Sequence, residues 1–362
     1  MSLAYYPGCS LHRSSAEFDV ATRRVLDVLG VAHKIVPDWT CCGSSPAHMM
    51  DHLLAQALAA RNLRQAAEVG EELLAPCPSC YQREKNAQIE IHKDDAFRAE
   101  VNEVLDKPYN GKVMVYSLPE YLMKFVGEEK IAAAVKVDLS QLRVVPYYGC
   151  LLGRPSDLIG ECDNEQPMKM DLLLQAAGAD VKWWNYKTEC CGASIGMPKA
   201  EIQRRLSGKV IHQALAAGAD AIVVCCPLCH VNLDLKQAQI NSFLGTDYKV
   251  PILYLPQVLG LAFGLSADDV QLKKNIVDPE PLVKKAIAEA AAVKAEEERK
   301  AAERAARRSS QSDASLTGRD RRGPAEDASA GAAAPEVATP EAAGATAGTA
   351  GATQGADAEA KP

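Results

Sequence analysis

Ten of the twelve cysteines fall into two copies of one pattern. The first copy is Cys9, the adjacent pair Cys41 and Cys42 before Gly43, then Cys77 and Cys80 in Cys-Pro-Ser-Cys. The second is Cys150, the pair Cys190 and Cys191 before Gly192, then Cys226 and Cys229 in Cys-Pro-Leu-Cys. In both copies 34 residues separate the double cysteine from the Cys-x-x-Cys. The shift between copies is 149 at four of the five positions and 141 at Cys9. Thiols in such number bind soft metal or carry redox chemistry. A structural zinc needs four ligands, and adjacent cysteines are awkward on one small ion. An iron–sulfur cluster has several irons and accepts neighbouring cysteines on different atoms. A redox dithiol at each Cys-x-x-Cys leaves three cysteines per half without a role. Ligand count and spacing favour a cluster over zinc.

The elements that must hold these cysteines repeat as well. Tyr5-Tyr6-Pro7-Gly8-Cys9 resembles Tyr147-Tyr148-Gly149-Cys150, and Leu118-Pro119-Glu120-Tyr121-Leu122 resembles Leu255-Pro256-Gln257-Val258-Leu259. A duplicated domain follows, with halves of about 140 residues, an ordinary domain size. Short apolar runs at 3–6, 32–36, 72–75, 143–148, 181–184 and 221–224 read as strands. Amphipathic runs at 16–29, 48–69, from 79 onward, 168–177 and 198–217 read as helices. That alternation predicts an α/β fold built twice, each half with a small, mostly parallel sheet flanked by helices. The ligand cysteines then lie just past the carboxyl ends of strands, where open α/β sheets place their sites. Pro78 and Pro227 suit the first position of a helix, which puts cysteines at helix amino termini that favour thiolate.

The expected organisation is residues 1–140 and 141–265 as two cluster-binding domains, 266–308 as a charged, solvated helical extension and 309–362 as a disordered tail rich in Ala and Gly. The formal charge of −7 and the lack of a basic stripe argue against nucleic acid. The apolar stretch 250–267 contains Pro251, Pro256 and Gln257 and reads as a buried strand leading into a core helix, not a membrane span. Twelve cysteines without a secretory leader suggest a reducing, cytoplasmic setting.

The cysteine pattern, with Trp39-Thr40-Cys41-Cys42-Gly43 and Cys226-Pro227-Leu228-Cys229-His230, resembles the cysteine-rich CCG domain in the tandem arrangement of the heterodisulfide reductase B subunits. The likeness covers residues 1–265. It implies two noncubane [4Fe–4S] clusters, one on Cys9, Cys41, Cys42, Cys77 and Cys80, the other on Cys150, Cys190, Cys191, Cys226 and Cys229. It also implies that the clusters face one another and split a disulfide between them. Such a cleavage takes two electrons and two protons, and two one-electron centres flanking the bond satisfy the count. The resemblance further implies two partners, a ferredoxin-like C subunit together with a flavin-containing A subunit. No dinucleotide fingerprint, phosphate loop or ferredoxin cysteine run occurs in the chain, so electrons must come from elsewhere.

A second reading is an iron–sulfur electron-transfer subunit of a flavoprotein that oxidises glycolate, lactate or glycerol-3-phosphate. A third is a zinc-held scaffold. His12 and His230 lie next to the motifs and are candidate proton donors, although hydrogen-bond support of the site is the commoner role for such histidines. Cys225 ends an apolar run and reads as a core residue; Cys162 sits in a polar loop and reads as idle. Trp39, Trp183, Trp184, Tyr5, Tyr6, Tyr147 and Tyr148 precede ligand loops and read as packing around the clusters.

Overall fold

The computed structural model describes residues 2–44, 47–159 and 163–317, so Cys162 and the tail from 318 lie outside the described residues. Two four-stranded sheets repeat one topology. The first contains β1 (Leu3–Tyr5), β2 (His33–Ile35), β3 (Glu72–Leu74) and β4 (Met114–Tyr116), in the order β2-β1-β3-β4. The second contains β5 (Arg143–Tyr147), β6 (Asp180–Val181), β7 (Ala221–Val224) and β8 (Ile252–Tyr254), in the order β6-β5-β7-β8. All six pairings are parallel. Helices cover both faces of such sheets, which is why the inner strands are continuous apolar runs. Every residue of β7 is fully buried, whereas the edge strand β2 is half exposed.

The repeated Leu-Pro motifs open helices directly after β4 and β8. Ser117 Oγ accepts from the Glu120 amide while the Glu120 carboxylate accepts from the Ser117 amide, a reciprocal cap. Gln257 Oε1 accepts from the Tyr254 amide in the second copy at 2.9 Å. The stretch expected to be one helix at 48–69 is two, Ala47–Met50 and His52–Ala67. Asp51 breaks it: its backbone is extended and its carboxylate accepts from the Leu54 amide at 2.7 Å. A short acceptor side chain is worth more capping a helix than inside one. Among the described residues no helix is long and apolar enough to cross a membrane.

The chain divides into two units, Met1–Ala301 and Ala302–Pro362. The first extends well past residue 265. Val270 and Leu272 are buried, and Asp234 accepts from the amides of Ile276 and Val277 at 2.6 and 3.0 Å. A helix then runs over Glu280–Thr317, beginning later and ending later than the extension expected at 266–308. Nor is it solvated all round, because Val283, Ala286 and Ala290 are buried. Their i, i+3, i+7 spacing forms one apolar stripe, inconspicuous because two of its members are alanines. The other faces carry the expected ion pairs, including Lys284 with Glu280 at 2.8 Å and Lys300 with Glu296 at 3.3 Å.

Candidate functional site

In both halves the cysteines follow the carboxyl ends of three neighbouring strands. Cys9 and Cys150 come after β1 and β5, the double cysteines after β2 and β6, and the Cys-x-x-Cys after β3 and β7. Cys77 and Cys226 are the N-caps of the helices Pro78–Lys93 and Pro227–His230, each with proline in the first turn. The sulfurs of Cys42 and Cys80 approach to 3.4 Å and those of Cys191 and Cys229 to 3.7 Å. Cys42, Cys77, Cys80, Cys191, Cys226 and Cys229 are buried, Cys150 and Cys190 are half-buried, and Cys9 and Cys41 are exposed. Cys225 is fully buried at the end of β7, a core residue.

The local field favours thiolate at selected positions. The neighbouring thiols of Cys41 and Cys80 pull the Cys42 pKa down to about 5, against the opposing effect of burial. The Cys150 thiol, then the amides of Gly192 and Ala193, bring Cys190 down to about 6; the Gly192 amide lies 3.3 Å from its sulfur. Cys77 is lowered by Cys80 and by the Cys80 and Ser79 amides at the helix start. Asn232 donates to the Cys191 sulfur at 3.6 Å. Among the described residues no group of three or more His, Cys, Asp or Glu side chains is arranged around a single metal ion.

The backbone meets the sulfurs as closely as it can. Gly8 and Gly149, each just before the first cysteine of its set, have φ of +62° and +64°. A Cβ on Gly8 would stand 2.8 Å from the Cys80 sulfur, and one on Gly149 would stand 3.0 Å from that of Cys229. Only glycine tolerates both the conformation and the approach. Five soft sulfur donors on a glycine cradle, two of them held toward thiolate in each half, suit an iron–sulfur cluster in each half.

The two halves are equivalent in this respect but not identical. Tyr6 and Tyr147 are true counterparts: their hydroxyls donate to the carbonyls before each double cysteine, Thr40 at 2.6 Å and Glu189 at 2.5 Å. Aligning both tyrosine pairs is therefore out of register, and Tyr148 stands where the first half has Pro7. The Tyr148 hydroxyl donates to Asp171 at 2.8 Å, and Asp171 pairs with the fully buried Lys187 at 2.7 Å. Trp184 is buried, with its indole N–H on the Pro146 carbonyl, and Trp39 packs edge-on against Tyr6. Trp183 is not packing around the site: it is 62% exposed, with the Lys187 ammonium 4.9 Å from its ring centroid.

A cavity of about 420 Å³ lies between the halves. One wall is Cys150, Cys190, Cys191, Cys226 and Cys229; the facing wall includes Ser44, His48, Met49, Ser79, Gln82 and Arg83. Ser44 follows Cys42-Gly43, and Ser79 lies within Cys-Pro-Ser-Cys, so this wall is built from the surroundings of the first set while none of its five cysteines lines it. Gln82 ties the walls together by donating to the Leu151 carbonyl at 2.9 Å and to that of Arg154. Neither histidine singled out from the sequence lines this space. His12 is exposed and stands edge-on to Trp39. His230 is buried, with Nε2 at 3.1 Å from the Ile252 carbonyl, and burial drops its pKa to about 4. That ring is a neutral packing residue, so the proposed proton-donor role does not suit its place. His48 and Arg83 are the residues the sequence reading missed; Arg83, one turn after Cys80 on the same helix, could have been found from its spacing. A second cavity of about 500 Å³, bordered by Arg143, Asp180, Asp220 and Lys285, is at the amino ends of β5–β7, away from both cysteine sets.

The family model of the CCG cysteine-rich domain matches residues 3–83 and 144–234. The chain is 30% identical over 278 residues to the 8-methylmenaquinol:fumarate reductase membrane anchor subunit of Wolinella succinogenes, covering 76% of this chain and 96% of that protein. It is 32% identical over 283 residues to the B subunit of the ferredoxin/F(420)H(2)-dependent CoB-CoM heterodisulfide reductase from Methanosarcina acetivorans, covering 76% and 93%. A solved structure of a hypothetical protein from Helicobacter pylori superposes with a TM-score of 0.62 at 14% identity, over 76% of this chain. The chain spans about half the length of that protein, 52%, and the likeness concerns the fold alone.

Proposed function

Because the chain belongs to the tandem CCG-domain family of the heterodisulfide reductase B subunits, we propose that it is the iron–sulfur subunit of a related complex and interconverts a disulfide and two thiols in the cavity between its halves. The observation that carries this reading is the cavity itself, walled by one complete cysteine set and by the residues flanking the other. In this reading Cys9, Cys41, Cys42, Cys77 and Cys80 hold one noncubane [4Fe–4S] cluster and Cys150, Cys190, Cys191, Cys226 and Cys229 hold the other. When bound, the clusters supply one-electron transfer and iron sites for sulfur, which together suit a two-electron cleavage.

The chain's own residues do the rest. Met49, Leu151, Ala193 and Leu228 give the cavity an apolar part of its lining. Ser44, Ser79, Ser194 and Gln82 offer hydrogen bonds that orient a substrate. His48 is the lining residue suited to exchange the protons that two product thiols require. Electrons arrive from two partners, one ferredoxin-like and one flavin-containing. One observation favours the alternative, an electron relay for a flavoprotein: the first set does not line the cavity, as a passing electron but not a bound substrate would permit.

The test begins with anaerobically purified protein, which is expected to carry about eight irons and eight sulfides, as two four-iron clusters require. Cys42→Ala and Cys191→Ala should each keep about half of the iron. Each should lose well over half of the rate at which a small aliphatic disulfide is cleaved with reduced methyl viologen. About half of the rate in both variants would mean independent sites and would sink the shared-site mechanism. Zinc without acid-labile sulfide would sink the cluster assignment.

A further inference from the structure

Behind the first cysteine set lies a buried carboxyl group whose counterpart position in the second half holds a leucine. Glu84 sits one turn beyond Cys80 on the helix Pro78–Lys93, on the same face, and is fully buried. Its Oε1 accepts from Asn62 Nδ2 at 3.0 Å, while Oε2 has no hydrogen-bond partner. The orientation of Asn62 is pinned. Its Oδ1 accepts from the Thr40 amide at 2.8 Å, and its Nδ2 also donates to the Thr40 carbonyl at 3.1 Å. Thr40 in turn precedes Cys41 and accepts from Tyr6, so the network abuts the double-cysteine loop.

Among the described residues no cation pairs with Glu84. An unpaired carboxylate in an apolar interior is costly, and the group takes a proton instead. Burial pushes the Glu84 carboxyl well above the usual range, against the Asn62 hydrogen bond and with a smaller push from Cys41. Since Oε1 is already an acceptor, the proton belongs on Oε2, which leaves a free O–H donor in the layer behind the cysteines. The second half is different. At the shift of 149 that relates Cys80 to Cys229, Glu84 and Asn62 become Leu233 and Ile211, both fully buried.

We propose that Glu84 acts as a neutral hydrogen-bond donor toward the first cysteine set and raises the reduction potential of that centre. The inference rests on the cluster reading above. Donors to cluster sulfur stabilise the reduced, more negative state and raise its potential. An ionised carboxylate in the same place would lower it.

The test uses the full chain, with iron and sulfide assayed first and both midpoint potentials then followed by absorbance and electron paramagnetic resonance. Glu84→Leu, which copies the second half, should move one midpoint to lower potential and leave the other in place. Glu84→Gln, which keeps a neutral donor, should move the same midpoint less. The infrared difference between wild type and Glu84→Gln at neutral pH should contain the carbonyl band of a protonated acid. Should Glu84→Leu fail to load iron, the glutamine variant and the infrared band decide. A midpoint raised by Glu84→Gln, unchanged midpoints in loaded Glu84→Leu, equal movement of both, or absence of the acid band overturns the proposal. Iron-free wild type overturns the cluster reading, and this inference with it; unmoved midpoints in iron-loaded variants overturn this inference alone.

Discussion

The rings of Phe18 and Tyr254 stack 4.4 Å apart with their planes 5° from parallel. Phe18 belongs to the helix Ala16–Val28 of the first half, and Tyr254 ends β8 of the second. His230 stacks on the same tyrosine at 4.3 Å. A buried aromatic contact of this kind contributes about 0.5–1.5 kcal/mol beyond the area it hides. Its position matters more than its size, because it joins the two halves whose facing walls form the cavity. The same packing decides the chemistry of His230.

His230 is expected to make the protein acid-sensitive. Its folded pKa of about 4 lies below the unfolded value of 6.5, so the folded state binds fewer protons. The associated stability is present above pH 6.5 and is lost as pH falls toward 4. By pH 5 the loss is about 2 kcal/mol. Thermal unfolding of wild type and His230→Gln at pH 7 and pH 5 checks this: the wild type should lose more on acidification. Parallel shifts would refute it.

Lys187→Ala should destabilise the second half strongly. It leaves Asp171 buried without its cation, a change that costs about 3–5 kcal/mol. Replacing both partners, as Lys187→Met with Asp171→Leu, should cost less than the single change. Anaerobic urea unfolding measures both, and a double variant no more stable than Lys187→Ala would contradict the argument.

Gly8→Ala and Gly149→Ala should each empty one half of iron. Either alanine forces a left-handed conformation, costing about 1–2 kcal/mol, and sets a methyl group against a sulfur of the same set. Iron per chain should fall by about half in each variant. Full loading in both would show that the sulfurs are not held where the cradle places them.

Truncation distinguishes the packed part of the last helix from the rest. Ending the chain after residue 308 should leave iron content and unfolding temperature unchanged, since the removed sequence is mostly Ala, Gly, Ser, Thr, Pro and Asp with almost nothing apolar to bury. Ending it after Asp278 removes Val283, Ala286 and Ala290 from the core and should reduce soluble, iron-loaded protein. Equal yields from the two truncations would mean that the apolar stripe contributes nothing.

The local and repeated features were legible in the sequence. The ten cysteines announce two equivalent sets through spacing alone, and short apolar runs between amphipathic ones specify parallel strands, because a strand buried on both faces has no polar alternation to show. What remained hidden depends on partners distant in the chain. Trp183 and Trp184 are neighbours in sequence, yet one is exposed and the other buried, because only one can face a sheet. His230 and His48 both lie close to the motifs, but Tyr254 and Ile252 draw the first into the core while the second reaches the cavity. Glu84 reads as an ordinary helix-surface carboxylate until Asn62, 22 residues away, closes over it. Residue type and spacing decided which atoms could do chemistry; burial, which arises only when the separate elements pack, decided their charge and which of them face the cavity.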